Sequence, residues 1–432
     1  MILNFGVRNF GSIKDEQTLS FEAEKSRHLE DAYVVKIGEH RILKVALIFG
    51  ANASGKTTLL KALDFLRDLV LEPQDKKTDE LNYDPFLFDA HTPEQSSGIS
   101  IEFIQNGVRY FYEVEFLKKA VLAEALYFYN PNRALVYKRV TNLDRQFAEI
   151  SFGSKISIEK TLERSLSSNT LWNNTVLGGF LKTNIDLGEL QEVVDWFKSY
   201  LKPMVSSRTE LGGFVTAGIE RGEILKSDVV NILKKADLNI SDIVIREEEE
   251  DLTDSLVEFL HRQSKASREQ IKRLKDRKVV AALSVDFEHT VNDVKYNLPL
   301  YLESEGTIRY YGFAGLLALL LERSTAVPID ELEASLHPDL YLHFLLSFVL
   351  NASRSQLIAT THNRELLDNK DVFRNDAIWF TDKQDGCATE LYSLADFDSS
   401  VVRNTTNVLN AYKSGKLSGT PNLGDTYIDL SR

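Results

Sequence analysis

A single cysteine, Cys387, occurs in 432 residues, which excludes an internal disulfide framework and fits a reducing compartment. Long hydrophobic runs are missing too. The longest, Gly312 to Leu321, is about half the roughly 20 residues that a bilayer crossing needs, so no membrane span is expected. The start, Met1-Ile2-Leu3-Asn4-Phe5, has neither the charged opening nor the apolar stretch of a secretory signal, and a cytoplasmic location is the expectation. Positive charge is in deficit, with 51 Lys and Arg against 64 Asp and Glu and a formal net charge of −13. That balance disfavours general attraction to phosphate backbones and leaves only a local basic face to bind nucleic acid. No repeat of fixed period is present.

At 43 % apolar residues the chain has material for a substantial core in one large domain or two ordinary ones. The first segment reads as strands, with Leu3, Phe5 and Val7 alternating and a second extended run at Leu19 to Phe21. Ile99, Ile101 and Phe103 alternate before Asn106-Gly107, and Val108, Tyr110, Tyr112 and Val114 alternate after it. Asn-Gly supplies the two positive φ angles of a type I′ turn, so a β-hairpin is expected. Between these lies Val45 to Phe49, a run of buried-strand type, then a glycine-bounded loop, then Leu59, Leu63, Leu66 and Val70 at helical spacing.

From about Ser154 to Leu283 the sequence turns polar and helix-like and reads as an insertion; Leu187, Leu190, Val194, Phe197 and Leu201 form an apolar stripe that Pro203 ends. Beyond it, a helix over Gly312 to Leu321 and runs at Ala326 to Ile329 and Leu357 to Thr361 fit the alternation of a mainly parallel sheet. Pro328 lacks a ladder donor, which calls for a bend there or a strand one residue shorter. The tail holds Gly415, Gly419, Pro421 and Gly424 and reads as a turn-rich cap or a partner-docking segment.

Gly50-Ala51-Asn52-Ala53-Ser54-Gly55-Lys56-Thr57, followed by Thr58, satisfies the phosphate-loop pattern after a strand and before a helix, the context the pattern needs. Glycines let successive N–H groups turn inward around an anion, and the helix points its positive end at the phosphates. Lys56 reaches the β and γ groups, and Thr57 offers its hydroxyl to Mg²⁺. ATP and Mg²⁺ are the expected ligands. Ile329-Asp330-Glu331 fits the second nucleotide motif, with Asp330 ordering the magnesium shell and Glu331 polarising water. Metal ligation is expected of Thr57 and Asp330.

Ser304-Glu305-Gly306-Thr307 opens a helix upstream of Asp330, and Thr361-His362-Asn363 ends an apolar strand downstream. With Arg8-Asn9-Phe10-Gly11-Ser12 near the start and Leu336-His337-Pro338 after Glu331, this order resembles the ABC-type ATPases of the branch that holds SMC and RecF heads and the overcoming-lysogenization-defect and abortive-infection ATPases. The resemblance implies an α/β fold: an ABC-ATPase head with a mixed β-sheet core, an antiparallel β subdomain and a mainly helical insertion. It implies lobe I over 1–153, the insertion over 154–283, lobe II over 284–395 and a tail over 396–432.

It also implies roles. Ser304 and Gly306 cap the γ-phosphate bound on an opposing subunit, Glu331 is general base or orients water, His362 senses the γ-phosphate, Ser335 to Pro338 line the dimer seam, and Arg8 and Phe10 lie near the adenine. Glu305 adds a negative charge beside the capping group, and Gln95 and Gln105 are the glutamines in the region where this branch carries a magnesium-shell glutamine. A site split between subunits implies a homodimer closed by ATP, with a higher oligomer open.

Two features bear on partners. Lys265, Arg268, Lys272 and Lys275 share one helix face, open to nucleic acid, an acidic partner or simple solvation. Asp396-Phe397-Asp398 is similar to the metal-binding pair of TOPRIM nucleases, but the roughly 70 residues after His362 are too few for that domain. The likeness is greatest to ATPases of prokaryotic defence operons: the RloA type, the abortive-infection AbiL type and the ATPase subunit of the PARIS system. Leu409 to Gly419 resembles the closing segment of that group. The expectation is a sensor or regulator of a separate effector, a TOPRIM-type nuclease, with a phage protein or nucleic acid as trigger. The alternative is a RecF- or SMC-like repair or chromosome-maintenance ATPase that clamps DNA.

Overall fold

The structure is a computed structural model that describes residues 1–251, 279–368, 371–383, 386–397 and 408–420. Lys265, Arg268, Lys272, Lys275, Asp398, Pro421 and Gly424 lie outside these described residues. Two compact units make up the rest: Met1–Arg208 with Arg323–Ala334 and Leu346–Arg432, and Thr209–Glu322 with Ser335–Leu345. No described helix is long and apolar enough to cross a membrane.

The first unit is built on two larger sheets. One has seven strands, all antiparallel, that begin with Ile2–Arg8 paired to Gln17–Ser20 and to Ser97–Gln105. Ser97–Gln105 and Val108–Leu117 form the expected hairpin, with φ of 48° at Asn106 and 79° at Gly107. Asparagine and glycine tolerate that left-handed conformation where a branched residue would strain. The other sheet has five strands in the order Ala326–Ile329, Gln356–Thr360, Val45–Gly50, Ile378–Lys383 and Thr389–Ser393. The first four run parallel and only the last is antiparallel. Val45 to Gly50 are all buried, as expected for a central strand of a parallel sheet covered on both faces.

Pro328 needs neither a bend nor a shortened strand, because Ala326–Ile329 is the outer strand of its sheet. The carbonyl of Pro328 accepts the N–H of Val205 at 2.8 Å, and that of Ala326 accepts Lys202 at 2.9 Å, both on the side away from Gln356–Thr360. In an extended strand a residue's N–H and C=O point the same way, so the missing donor of Pro328 faces outward and costs the ladder nothing.

The helix Lys56–Leu71 follows Val45–Gly50 and buries Leu59, Leu63, Leu66 and Val70, the stripe read from the sequence. The stripe at Leu187 to Leu201 is also buried, on a helix Gly188–Asp195 that continues as a π turn over Trp196–Tyr200. The segment 154–283 carries helices Lys160–Asn169, Val176–Leu181, Gly188–Asp195, Leu211–Glu220 and Lys226–Lys235 and the strand Ile240–Asp251. At the tail, Tyr412 stacks on Phe380 at 5.4 Å, and Tyr392 donates to the carbonyl of Leu417, so residues 408–420 cap the antiparallel edge. A cap is thus what the described part of the tail forms.

The second unit pairs Ile240–Asp251 with Val279–Val291, and the latter with Val294–Pro299, as a three-stranded antiparallel sheet. The helix Glu305–Glu322 packs on it and on Leu211–Glu220. Phe287 meets Tyr311 at 5.2 Å, and a side chain on Gly312 or Gly315 would collide with Leu211 or Val215. Apolar run and small residues together make this a helix buried along most of its length.

Candidate nucleotide site

The carboxyl ends of three neighbouring parallel strands bring the site together. Val45–Gly50 runs into the phosphate loop, Ala326–Ile329 into Asp330 and Glu331, and Gln356–Thr360 into His362. In open α/β sheets this edge is where ligands bind, because loops and helix N-termini converge there.

The loop needs its glycines for distinct reasons. Gly55 has φ of 106°, and a Cβ there would lie 2.0 Å from Thr389 Oγ1; one on Gly50 would lie 2.5 Å from the carbonyl of Thr381. Those two threonines brace the loop from the antiparallel edge of the sheet. Ser54 Oγ and Thr381 Oγ1 are 2.6 Å apart, and Thr389 donates to the carbonyl of Ser54 at 3.0 Å. Ser12 joins them, 2.8 Å from Thr389 Oγ1 and 3.0 Å from Thr58 Oγ1.

Lys56 is buried beneath the loop and donates to the carbonyls of Gly50 at 2.8 Å and Ala51 at 2.9 Å. Burial lowers its pKa to about 8, against the opposing pull of Asp330, Glu333 and Glu331. Thr57 Oγ1 lies 3.0 Å from both carboxylate oxygens of Asp330, and Thr360 donates to Asp330 at 2.7 Å. A hydroxyl and a carboxylate at one point form a hard oxygen set. That set fits Mg²⁺, which keeps water and phosphate oxygens as its remaining ligands. The cradle likewise fits a triphosphate, since an amine now resting on carbonyls is free to turn to phosphate oxygens.

Glu331 adopts φ of 54°, and its N–H donates to Thr360 Oγ1 at 2.8 Å. Its carboxylate is 3.6 Å from His362 Nε2, both side chains being partly exposed. Glu333, three residues after Asp330, accepts the backbone N–H of His362. Asn363 donates its N–H to Thr361 Oγ1 and shapes the turn that follows.

Other expected residues sit apart from this cluster. The Arg8 side chain pairs with Glu115 at 3.3 Å beside a cavity of about 440 Å³ on the seven-stranded sheet. Phe10 instead stacks on Tyr83 at 5.6 Å and lines a second cavity of about 700 Å³ with Gly11, Thr58 and Lys61. The backbone carbonyl of Gln95 accepts from Asn9, and Gln105 closes the hairpin opposite Val108. Asp396 is used in a capping box with Ser393. Among the described residues no group of three or more His, Cys, Asp or Glu side chains is arranged to hold a metal.

In the second unit, Ser304 Oγ accepts the N–H of Thr307 at 3.1 Å and so caps the helix Glu305–Glu322. Glu305 is exposed in the first turn, where the helix dipole favours an acid. A Cβ on Gly306 would lie 3.2 Å from the carbonyl of Ser335, so this glycine sits close against the Ser335–Pro338 segment. His289 Nε2 bonds Glu303 at 2.7 Å, holding the strand Val279–Val291 to the residue before Ser304.

Sequence reasoning missed Thr360, Thr381, Thr389 and Glu333. Thr381 and Thr389 lie in ordinary strand contexts, while Thr360 and Glu333 border motif residues but are marked by no pattern of their own.

Loop, buried lysine and strand-end acids define a phosphate-loop nucleotide-binding protein of α/β fold. The chain belongs to the family described as "AAA domain, putative AbiEii toxin, Type IV TA system", whose sequence model matches residues 45–368. No curated protein matches the chain. Among solved structures, an SMC head domain from Thermotoga maritima is similar at 13 % identity and a TM-score of 0.42, covering 91 % of this chain and 98 % of that one. An Smc head domain with an extended coiled coil, bound to the C-terminal domain of ScpA from Pyrococcus furiosus, is similar at 12 % identity and a TM-score of 0.40, covering 96 % and 98 %.

Proposed function

We propose that this chain is an ATP-hydrolysing ABC-type ATPase that dimerises around ATP and regulates a separate effector, a nuclease, in prokaryotic defence. The observation that carries the ATPase reading is the convergence of Lys56, Thr57, Asp330, Glu331 and His362 at one sheet edge. The toxin–antitoxin description of the matching family supports the defence role.

Phosphoryl transfer needs positioning and charge neutralisation more than covalent help. Lys56 turns from its carbonyls to the β and γ phosphates, and Thr57 and Asp330 hold Mg²⁺, which neutralises charge on the phosphates. Gly50, Asn52, Ser54, Gly55 and Thr58 complete the cradle. Glu331 accepts a proton from water, and His362 contacts the γ-phosphate. Ser304 and Gly306 of a second copy close the site, so turnover waits for the dimer. Arg8 lies toward the base. Residues 1–153 and 284–395 are the two ATPase lobes, 154–283 the insertion and 396–432 the tail.

Replacing Glu331 by Gln removes the proton acceptor but keeps the shape. The expected result is loss of turnover by roughly 100-fold or more, with retained ATP binding and an ATP-dependent dimer. Phosphate release and light scattering read the two effects, and unchanged turnover removes Glu331 from the role. Co-purification with a nuclease encoded nearby tests the effector, and stimulation of turnover by DNA would favour the clamp reading.

A further inference from the structure

Glu333 has a feature that the reaction above leaves unused. One of its carboxylate oxygens accepts the backbone N–H of His362; the other, Oε2, is buried and has no hydrogen-bond partner. A carboxylate oxygen left dry costs more than a neutral one, so a buried acceptor without a donor calls for an explanation. Its surroundings supply one.

The turn that carries Glu333 is laid across the end of the neighbouring strand by three bonds. Glu331 donates to Thr360 Oγ1 at 2.8 Å, Leu332 donates to the carbonyl of Thr360 at 3.0 Å, and His362 donates to Glu333. A further bond, from Ala334 to the carbonyl of Glu331 at 2.9 Å, closes the turn on itself. These bonds fix Glu333 next to the two groups, Glu331 and His362, whose side chains stand 3.6 Å apart. Its charge is also felt by the Lys56 ammonium. The Glu333 carboxylate therefore stands beside the nucleotide site, where a bound nucleotide brings ordered water.

We propose that Glu333 is a positioning residue for ATP hydrolysis: one oxygen holds the His362 backbone beside Glu331, and the other accepts a hydrogen bond from a water molecule at the terminal phosphate. This rests on the ATPase reading given above. The two functions of the carboxylate separate in Glu333→Gln. The amide keeps a carbonyl oxygen for the His362 N–H but puts an NH₂ group, which cannot accept, where Oε2 stood. Glu333→Asp keeps both oxygens on a shorter arm.

The test measures ATP turnover and the affinity for a fluorescent ATP analogue in the full chain, for wild type, both Glu333 variants and Lys56→Ala. For Glu333→Gln, kcat is expected to fall roughly 10- to 100-fold while KM and analogue affinity stay within about threefold. Glu333→Asp is expected to recover part of the lost kcat. A Gln variant with wild-type kcat reduces Glu333 to a structural clamp and overturns the proposal alone, as does an Asp variant no better than Gln. Wild-type protein without turnover, or Lys56→Ala with full analogue affinity, overturns the ATPase reading and this proposal together.

Discussion

The Lys56 ammonium sits in a contradictory place, because burial disfavours its charge while three carboxylates favour it. Burial wins in the free protein and leaves the pKa at about 8. A bound triphosphate adds negative charge and raises that pKa again, so binding takes up a proton wherever the free lysine is already neutral. The sign follows: ATP affinity is full below about pH 8 and declines as pH rises through that value. Calorimetry in two buffers of different ionisation heat should find a proton uptake that rises between about pH 7.5 and about pH 9.5 toward one proton. Uptake that does not change with pH would detach Lys56 from the phosphates. Lys56 itself was legible in the sequence, since the loop pattern is contiguous and its chemistry local. Thr381 and Thr389 were not, because they reach the loop only through the register of two distant strands.

Among the elements, Gln356 shows how the first unit is tied together. Its amide donates to the carbonyls of Ile2 at 2.9 Å and Leu43 at 3.0 Å; its oxygen accepts the N–H of Ile2 at 2.6 Å and the hydroxyl of Tyr200 at 2.9 Å. One buried side chain thus links the first strand of the seven-stranded sheet, the strand His40–Leu43 and the π turn to the five-stranded sheet. A glutamate here would bury a charge, whereas Gln356→Leu keeps the site neutral and takes this partner from the N–H and C=O of Ile2 and the C=O of Leu43, the Tyr200 hydroxyl keeping the carbonyl of Arg354 at 3.0 Å, which makes it the cleaner probe. It is expected to destabilise the protein by about 3 kcal/mol, from several buried groups losing partners at about 1 kcal/mol each. Urea unfolding followed by circular dichroism measures it, and a loss below about 0.5 kcal/mol would mean that water replaces the amide. Lys44 works in a similar way, donating to the carbonyls of Val349 and Ala352 at the end of the helix Pro338–Asn351. Neither residue carries a sequence signal, because a glutamine or lysine at a strand edge is ordinarily a solvated one.

At the scale of the whole molecule, the function proposed here depends on a second copy. Ser304 caps its own helix through Thr307, so its backbone geometry is set before any partner arrives. A bulky cation at that position should obstruct closure without touching the phosphate loop of the same chain. In a Glu331→Gln background, Ser304→Arg is expected to abolish the ATP-dependent dimer while ATP affinity of the monomer stays within about threefold. Loss of the cap should lower stability by only about 1 kcal/mol, which a melting curve can register separately. Light scattering with and without ATP decides, and a dimer that persists would take Ser304 out of the interface.

Pieces whose physics is local could be read from the residues alone. These are the phosphate loop between a buried strand and an amphipathic helix, the Asn106-Gly107 hairpin, the apolar strands that lead to Asp330 and His362, and the helix that Ser304 to Thr307 open. Each is a short stretch where spacing, turn chemistry and burial agree. Why Pro328 is tolerated came from the folded arrangement, since that depends on its strand lying at a sheet edge with Val205 outside it. That arrangement also decided that Ser12, Thr381 and Thr389 brace the loop and that Glu333 reaches the His362 backbone. Those choices rest on hydrogen bonds between residues far apart in the chain, and a hydrogen bond needs a position and a direction that no single stretch of sequence contains.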